Sequence, residues 1–267
     1  MKFNTKKLSL LLSILALTTL TACSQNAEDS KTSGPIREVQ ENVEEENTNN
    51  TIHEVQESTE QAPEKDSPLD LLNQLATLSK STEEIYVTDD FIVGEDEDIN
   101  PGIYDLEITG GSGNIFGDRA DVHSLYINWL GGAEGVVEDY PSKIRIILFE
   151  GDVLELRNIS KVKFNAVPEK VEPSNELGIG EFIVGRDIVA GDYKLSTNAT
   201  LDPEYDNLGW NISIYNDNDG KSREQSLTAT NNDVVIRLKD GEIVSTDFYN
   251  TDRDSSTDDA RLIFSEF

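Results

Sequence analysis

The sequence contains little cysteine, little histidine and little positive charge, and each shortage excludes a class of protein. Cys23 is the one cysteine among the 267 residues, so the chain cannot form an internal disulfide and its stability must come from packed cores. Lysine and arginine number 22 against 52 aspartates and glutamates, which gives a formal net charge of −30 at pH 7. Because such a chain repels phosphate backbones, we expect no nucleic acid partner.

The scarcity of histidine leaves few routes to nucleophilic catalysis. The chain has two histidines, His53 and His123, and neither comes with a nucleophile elbow, a zinc pattern or a phosphate-binding glycine loop. Glycoside hydrolysis uses a pair of carboxylates, but with 52 acidic residues such pairs occur by chance and do not indicate a hydrolase. We therefore predict that the protein is not an enzyme and has no catalytic residue and no cofactor. The alternative is a cell-envelope polymer hydrolase that uses carboxylates or His123.

Two acidic loops raise the question of a calcium site. If Gly220 were the sixth position of an EF-hand loop, the first and twelfth positions would be Tyr215 and Ser226, which supply no carboxylate. The stretch at 216–220 is therefore interpreted as a turn, since asparagine, aspartate and glycine are turn residues. A second acidic run spans residues 252–259. We predict no metal site, and calcium binding by these flexible loops is left to experiment.

The first 22 residues have the pattern of a signal peptide. Three lysines and no acid stand among residues 1–7, and an apolar run follows at residues 8–17. That run is shorter than the ~20 residues that a membrane-spanning helix needs. A basic start, a short apolar stretch and small residues after it are together typical of a secretory signal. We predict that residues 1–22 direct export.

The signal ends in Leu20-Thr21-Ala22-Cys23, which resembles the lipobox of bacterial lipoproteins. The resemblance implies that the Cys23 thiol receives a diacylglyceryl group, such as one carrying palmitate, and that the signal is cut just before it. The mature protein would then be lipid-anchored in the cell membrane on its extracytoplasmic face. Two acyl chains give a stable anchor, and the acidic body would be held away from an anionic lipid surface.

A polar tether and one short helix are expected between the anchor and the folded body. Residues 23–66 contain no aromatic residue and are rich in acidic and small polar ones, so we predict that they are disordered. Residues 67–80 open with Ser67 and Pro68 and carry leucines at helical spacing. This pattern predicts a capped helix that packs against the first domain.

The body that follows contains one pattern twice. Residues 91–106 and 182–195 both read F-I-V-G…D-I-x-x-G-x-Y-x-L, and later landmarks recur in the same order. Within each copy apolar residues alternate with polar ones, as they do in half-buried antiparallel strands. The predicted fold class is all-β, with two homologous antiparallel β-sandwich or barrel-like domains at 81–167 and 177–267. A proline-containing linker at 168–176 would join them.

Turn residues within these copies have both a structural and a functional interpretation. Gly151 and Gly241, each between two acidic residues, predict hairpin tips. Asp98 and Asp187 precede the glycine turn of the repeated pattern, where they could form a repeated ligand contact. An aspartate at such a position more commonly bonds the backbone amides of the turn, and we favour that role.

Two tryptophans could serve as stacking platforms for sugars. Trp129 and Trp210 instead alternate with polar neighbours beside Ile127 and Ile212, so we predict that both lie in the core.

The repeated V-G-x-D-I-x-x-G-x-Y element resembles one found, singly or in tandem, in surface lipoproteins and secreted proteins of Gram-positive bacteria. The resemblance covers residues 91–106 and 182–195 well and the later strands loosely, and it implies a small β domain and a location at the cell envelope, without implying an enzymatic role. The sequence therefore leads us to expect a non-catalytic binding or interaction module at the cell envelope, with an unknown protein or glycan ligand. An accessory lipoprotein that supports an envelope complex is a further alternative.

Replacing Cys23 with serine tests the anchor. Because a hydroxyl cannot take the place of the modified thiol, we expect Cys23→Ser to abolish incorporation of labelled fatty acid and to release the protein from the membrane fraction of expressing cells. The neighbouring Ser24→Ala variant should keep both the label and the membrane location. Label on the Cys23→Ser chain would contradict the prediction.

Overall fold

A computed structural model describes residues 66–94, 99–216, 218–249 and 256–267. The predicted signal peptide, Cys23 and the tether up to residue 65 therefore lie outside the described residues, as does Asp98. The same holds for residues 252–255, the first half of the acidic run at 252–259.

The predicted short helix is present as α1, which spans Pro68–Leu78. Ser67 caps it, because the Ser67 hydroxyl accepts a hydrogen bond from the Asp70 amide at 3.2 Å while the Asp70 carboxylate accepts one from the Ser67 amide at 3.3 Å. This reciprocal pair is a capping box, and Pro68 costs no hydrogen bond at the first helical position. None of the described helices has the length and apolar composition that a membrane span requires.

The rest of the regular structure described is β, apart from one 3₁₀ turn at Thr257–Asp259. The strands are β1 Ile85–Tyr86, β2 Phe91–Ile92, β3 Gly102–Asp118, β4 Ile127–Gly132, β5 Lys143–Leu148, β6 Val153–Ala166, β7 Glu176–Leu177, β8 Gly180–Ile183, β9 Gly191–Thr197, β10 Gly209–Asn216, β11 Lys221–Thr228, β12 Val235–Leu238, β13 Ile243–Tyr249 and β14 Leu262–Glu266. Their alternation follows the sequence: in β12, Ile236 and Leu238 are buried while Val235 and Arg237 are exposed. The all-β class is confirmed.

Most strands belong to one large sheet. Its order is β1-β6-β3-β5-β8-β13-β10-β11, with β2 added on β6 and β4 on β3. A second sheet has the order β12-β9-β14-β7. Every pairing between these strands is antiparallel except that of β5 with β8, which is parallel and joins the first half of the body (residues 81–167) to the second half (residues 177–267).

The two halves share one pattern of strand pairing. β3 pairs with β5 so that Gly102 lies opposite Leu148, and β9 pairs with β12 so that Gly191 lies opposite Leu238. In the first half β3 pairs with β4 on one side and with β6 on the other, and in the second half β10 pairs in the same way with β11 and β13. The C-terminal part of β6 pairs with the start of β3, as β14 pairs with β9. β1 and β2 correspond to β7 and β8. Each of the two long strands of the first half thus corresponds to two shorter strands of the second: β3 to β9 and β10, and β6 to β13 and β14.

The turns at Gly151 and Gly241 are present, but the hairpin prediction for them is wrong. Both glycines have positive φ, 77° and 80°, as a tight turn requires. β5 and β6 nevertheless lie on opposite edges of β3 instead of pairing with each other, and β12 and β13 lie in different sheets. Register shifts between Ile108 and Asn114 mark irregular pairing of β3 with β6, and bulges of this kind bend a strand.

A glycine stands where the two halves meet. The Arg145 amide donates to the Ile179 carbonyl at 3.1 Å, and Gly180 lies opposite Arg145 in the parallel pair. Gly180 has φ +122°, and a Cβ there would overlap the backbone of Arg145. Only glycine allows β8 to approach β5 this closely.

Helix α1 crosses this seam, whereas the sequence led us to expect contact with the first half alone. Its buried Leu72 and Ala76 belong to a core cluster that combines side chains of the first half with side chains of the second, namely Ile103, Leu125, Ile147, Val167, Ile183, Tyr215 and Ile243. The first turn of the helix lies against Gly185 and Gly241 of the second half. Its far end is fixed to the first half, where the Ser79 hydroxyl accepts from the Ile103 amide at 2.8 Å.

Truncating the buried leucine of α1 should therefore destabilise the whole body. Leu72 is 7% exposed, so Leu72→Ala removes buried methyl groups and leaves a cavity, which we expect to lower the free energy of unfolding by about 2 kcal/mol or more. Leu71, which is 46% exposed on the same helix, is the matched control, and Leu71→Ala should cost less than about 1 kcal/mol. Equal losses for the two variants in urea unfolding would contradict this role.

Candidate functional site

Asp187, the described member of the predicted aspartate pair, points into the protein. Its side chain is 6% exposed, and its Oδ2 accepts from the Ile183 amide at 2.8 Å. Its Oδ1 accepts from Arg145 Nη1 of the first half at 3.2 Å. Burial raises the pKa of Asp187, and the Ile183 amide and Arg145 oppose that rise. Asp187 therefore holds its own turn and ties it to the neighbouring half.

The two tryptophans are core residues, as predicted. Trp129 is 2% exposed and Trp210 is fully buried. Each indole N–H is satisfied inside the protein: Trp129 Nε1 donates to the Thr246 carbonyl at 3.1 Å, and Trp210 Nε1 donates to Thr197 Oγ1 at 2.9 Å. The first of these bonds runs from the first half to the second.

His123 lies exposed in the loop between β3 and β4. Within the described ranges, no group of three or more His, Cys, Asp or Glu side chains is arranged to hold a metal ion.

A buried cluster of charges lies beside the seam, and the sequence analysis did not find it. Arg119 Nη1 lies 2.9 Å from Asp152 Oδ2, and Arg119 Nη2 bonds Glu181 Oε1. The three side chains are between 0% and 2% exposed. Arg119 and Asp152 come from the first half and Glu181 from the second, so the cluster links the two.

This cluster completes the backbone hydrogen bonding of the seam. The Ile147 amide donates to Glu181 Oε2 at 2.8 Å, and the Ile147 carbonyl accepts from Arg119 Nη1 at 2.7 Å. Arg119 Nε also donates to the Leu125 carbonyl at 3.1 Å. Side chains thus satisfy the backbone groups at the end of β5, where buried donors and acceptors would otherwise lack partners.

The Arg119 guanidinium pairs with two carboxylates, those of Asp152 and Glu181. Burial raises the pKa of both Asp152 and Glu181, while Arg119 and backbone amides act in the opposite direction. In the second half, Glu242 takes the position of Asp152 and accepts from the Lys239 amide at 2.9 Å, as Asp152 accepts from the Phe149 amide at 3.0 Å. In both repeats an acidic residue directly follows the turn glycine, as Asp152 follows Gly151 and Glu242 follows Gly241. This recurrence was the sequence pattern from which the buried position could have been predicted.

A groove of about 280 Å³ lies on the outer face of β10, β11 and β13. Cross-strand partners form its floor in two rows. One row contains Ser213, Glu224 and Ser245, and the other contains Asn211, Ser226 and Asp247. Leu125, Tyr126 and Asn128 of the first half form its wall. Both halves therefore build the groove.

The polar side chains that line the groove, among the described residues, are neutral or acidic. Amide and hydroxyl side chains dominate its polar lining, Glu224 and Asp247 are its carboxylates, and none of the described lining residues is Lys, Arg or His. The Tyr126 ring is 75% exposed at the rim. Asp247 Oδ1 accepts from the Phe248 amide at 2.9 Å, and burial raises the pKa of Asp247 while Tyr249 lowers it.

The corresponding face of the first half differs. By strand pairing, Phe116 and Leu130 occupy the positions of Ser213 and Ser226. The Arg157 guanidinium lies 5.6 Å from the centre of the Phe116 ring and closes that surface. The polar groove is therefore a feature of the second half and its junction, and it is not repeated.

Two other depressions are less suited to a ligand. A cleft of about 480 Å³ between the halves is strongly charged, but Arg145 there pairs with Asp105 at 2.6 Å and Arg261 donates to the Asp258 carbonyl at 2.7 Å. A pocket of about 230 Å³ under α1 is lined mainly by apolar side chains of the helix and its core cluster.

No protein-family model matches this chain, and comparisons with curated proteins and with solved structures find no match.

The buried acids make the stability depend on pH. An acid whose pKa is raised by folding keeps its proton in the native state where the unfolded chain has lost it, so its contribution is present at low pH and is lost as pH rises through the folded pKa. Because the pKa values of Asp152, Glu181, Asp187 and Asp247 are all raised, we expect stability in urea to increase as pH falls from neutral toward the ordinary carboxyl pKa of about 4.

The variant Glu181→Gln tests whether the pH dependence of stability comes from the buried acids and not from the net negative charge of the chain. The amide oxygen can still accept from Ile147 while the buried charge is removed, so the dependence of stability on pH should be weaker than in the unaltered protein. The exposed Glu204→Gln changes the net charge equally and should leave the dependence unchanged. Parallel curves for Glu181→Gln and the unaltered protein would overturn the interpretation.

Proposed function

We propose that the protein is a lipid-anchored component of the extracytoplasmic face of the cell membrane and acts there as a non-catalytic binding or interaction module. The lipobox pattern ending at Cys23 supports the anchor, and the polar composition of residues 23–66 supports a tether that carries the body away from the lipid. The partner is a protein or a glycan of the envelope.

The body consists, in this proposal, of two homologous antiparallel β-sandwich domains that arose by duplication. The shared pairing pattern supports this origin, and so do matching details. Tyr104 donates its hydroxyl to the Asn100 carbonyl at 2.8 Å, and Tyr193 donates to the Val189 carbonyl at 2.8 Å. Each tyrosine also meets a phenylalanine edge-on, at 5.7 Å for Tyr104 with Phe164 and 5.8 Å for Tyr193 with Phe264.

The groove is the observation that supports a binding role. The charged side chains at the seam are engaged with one another, whereas the groove presents polar side chains from both halves in one concave surface. Concave sites with convergent polar groups are the usual places where proteins bind ligands. The groove also exists only when the two halves are joined, because Tyr126 and Asn128 come from one and the floor from the other.

A hydrolase of envelope polymer is the second candidate. Glycoside hydrolysis uses two carboxyl groups in different environments, one of them with a raised pKa. Asp247 and Glu224 both line the groove, and the pKa of Asp247 is raised by burial. Release of soluble fragments from envelope polymer by the unaltered chain, lost on Asp247→Asn, would establish this candidate in place of the binding module.

Photocrosslinking in cells tests the binding role directly. A photoreactive residue at Asn211, on the groove floor, should capture a partner on the full anchored chain, because Asn211 is exposed within the groove. The same residue at Tyr86, which is 66% exposed on the first half outside the groove, is the matched control and should capture nothing specific. Equal products at both positions, or none at Asn211, would contradict a binding role for the groove.

A further inference from the structure

We infer that the groove binds a neutral, hydroxyl-rich glycan. This inference rests on the proposed function, because it assigns a ligand class to the same groove. Three features of the groove carry it: the regular array of polar side chains on its floor, the exposed aromatic ring at its rim and the absence of positive charge from its described lining.

The floor is a regular array. Its two rows cross three neighbouring strands, which lie about 4.8 Å apart, and the rows are about 7 Å apart because they are two residues apart on each strand. The array is therefore the size of one or two sugar rings. Strands hold these side chains at fixed spacing, so a rigid cyclic ligand can meet several of them at once.

The array can both donate and accept hydrogen bonds. A sugar hydroxyl does both, and so do the amides of Asn211 and Asn128 and the hydroxyls of Ser213 and Ser245. Ser226 Oγ donates to Asn211 Oδ1 at 3.3 Å, and this bond orients the amide on the floor.

Tyr126 supplies an apolar face at the rim. A tyrosine ring combines an apolar body with a polar tip, and a ring that is 75% exposed on a groove wall can pack against the C–H face of a sugar. Trp129 and Trp210 do not present such a ring, because they are only 2% and 0% exposed.

Charge decides against the other polar ligands. The chain carries a net charge of −30 and none of the described lining residues is a cation, so a phosphorylated or carboxylated polymer would be repelled. A basic peptide would need carboxylates as its main contacts. Asp247 is engaged with Phe248 and Tyr249, and the rest of the floor beside Glu224 is neutral. A neutral glycan fits this lining better.

Because the polar floor is found in the second half only, among the described residues, the number of glycans bound per chain can be predicted. The first half has Phe116 and Leu130 at the corresponding positions, so each chain should bind one glycan and not two.

The test uses the full chain with Cys23→Ser, purified without lipid, and titrates it calorimetrically with neutral oligomers of glucose, mannose and N-acetylglucosamine. Oligolysine and oligogalacturonate serve as cationic and anionic comparators. We expect one neutral oligomer to bind with one site per chain. Tyr126→Ala and Asn211→Ala should each weaken it at least tenfold, whereas Tyr86→Ala should leave it unchanged.

Each result decides the inference. Binding of oligolysine or oligogalacturonate in place of all neutral oligomers would overturn it, as would neutral binding unaffected by Tyr126→Ala and Asn211→Ala. No binding of any oligomer would overturn it too. If crosslinking at Asn211 still captured a partner in cells, the binding module would stand and only the glycan class would be wrong; if it captured none, both would fail.

Discussion

The buried ion pair between Arg119 and Glu181 is the contact on which the rest of the structure depends. Together these side chains satisfy the amide and the carbonyl of Ile147, at the point where β5 of the first half meets the second half. Breaking a buried pair leaves an uncompensated charge, and Glu181 of the second half is paired here with Arg119 of the first half. The continuous sheet, the helix that crosses it and the groove all combine residues from both sides of this junction.

The junction makes two similar halves unequal. Their strand pairings correspond, yet β5 adjoins the other half while its counterpart β12 ends a separate sheet. Residues at the junction differ accordingly: by strand pairing, Arg119 corresponds to Asn216, which donates to Glu242 at 3.2 Å. The two halves therefore meet unsymmetrically, and the polar side chains of the groove floor have no equivalent array at the corresponding positions of the first half.

Features that depend on near neighbours could be predicted from the sequence. The cap at Ser67 and the alternating strands follow from local spacing, and both are present in the structure. The partner of α1 and the pairing across Gly151 could not be predicted, because they depend on contacts between distant parts of the chain. The two copies of the pattern suggested separate domains, and nothing in the spacing indicated that Gly180 would lie beside Arg145.

The sequence by itself determined which side of the alternating strands, such as β12, is buried, because a period of two reports burial directly. It could not identify the candidate site, since Asn211 and Ser213 look like the solvent-facing residues of any half-buried strand. Only the tertiary structure placed Tyr126 and Asn128 opposite them and enclosed Arg119 and Glu181 at the seam. The reason is physical: alternation is a property of a single strand, whereas grooves and buried ion pairs depend on which strands become neighbours.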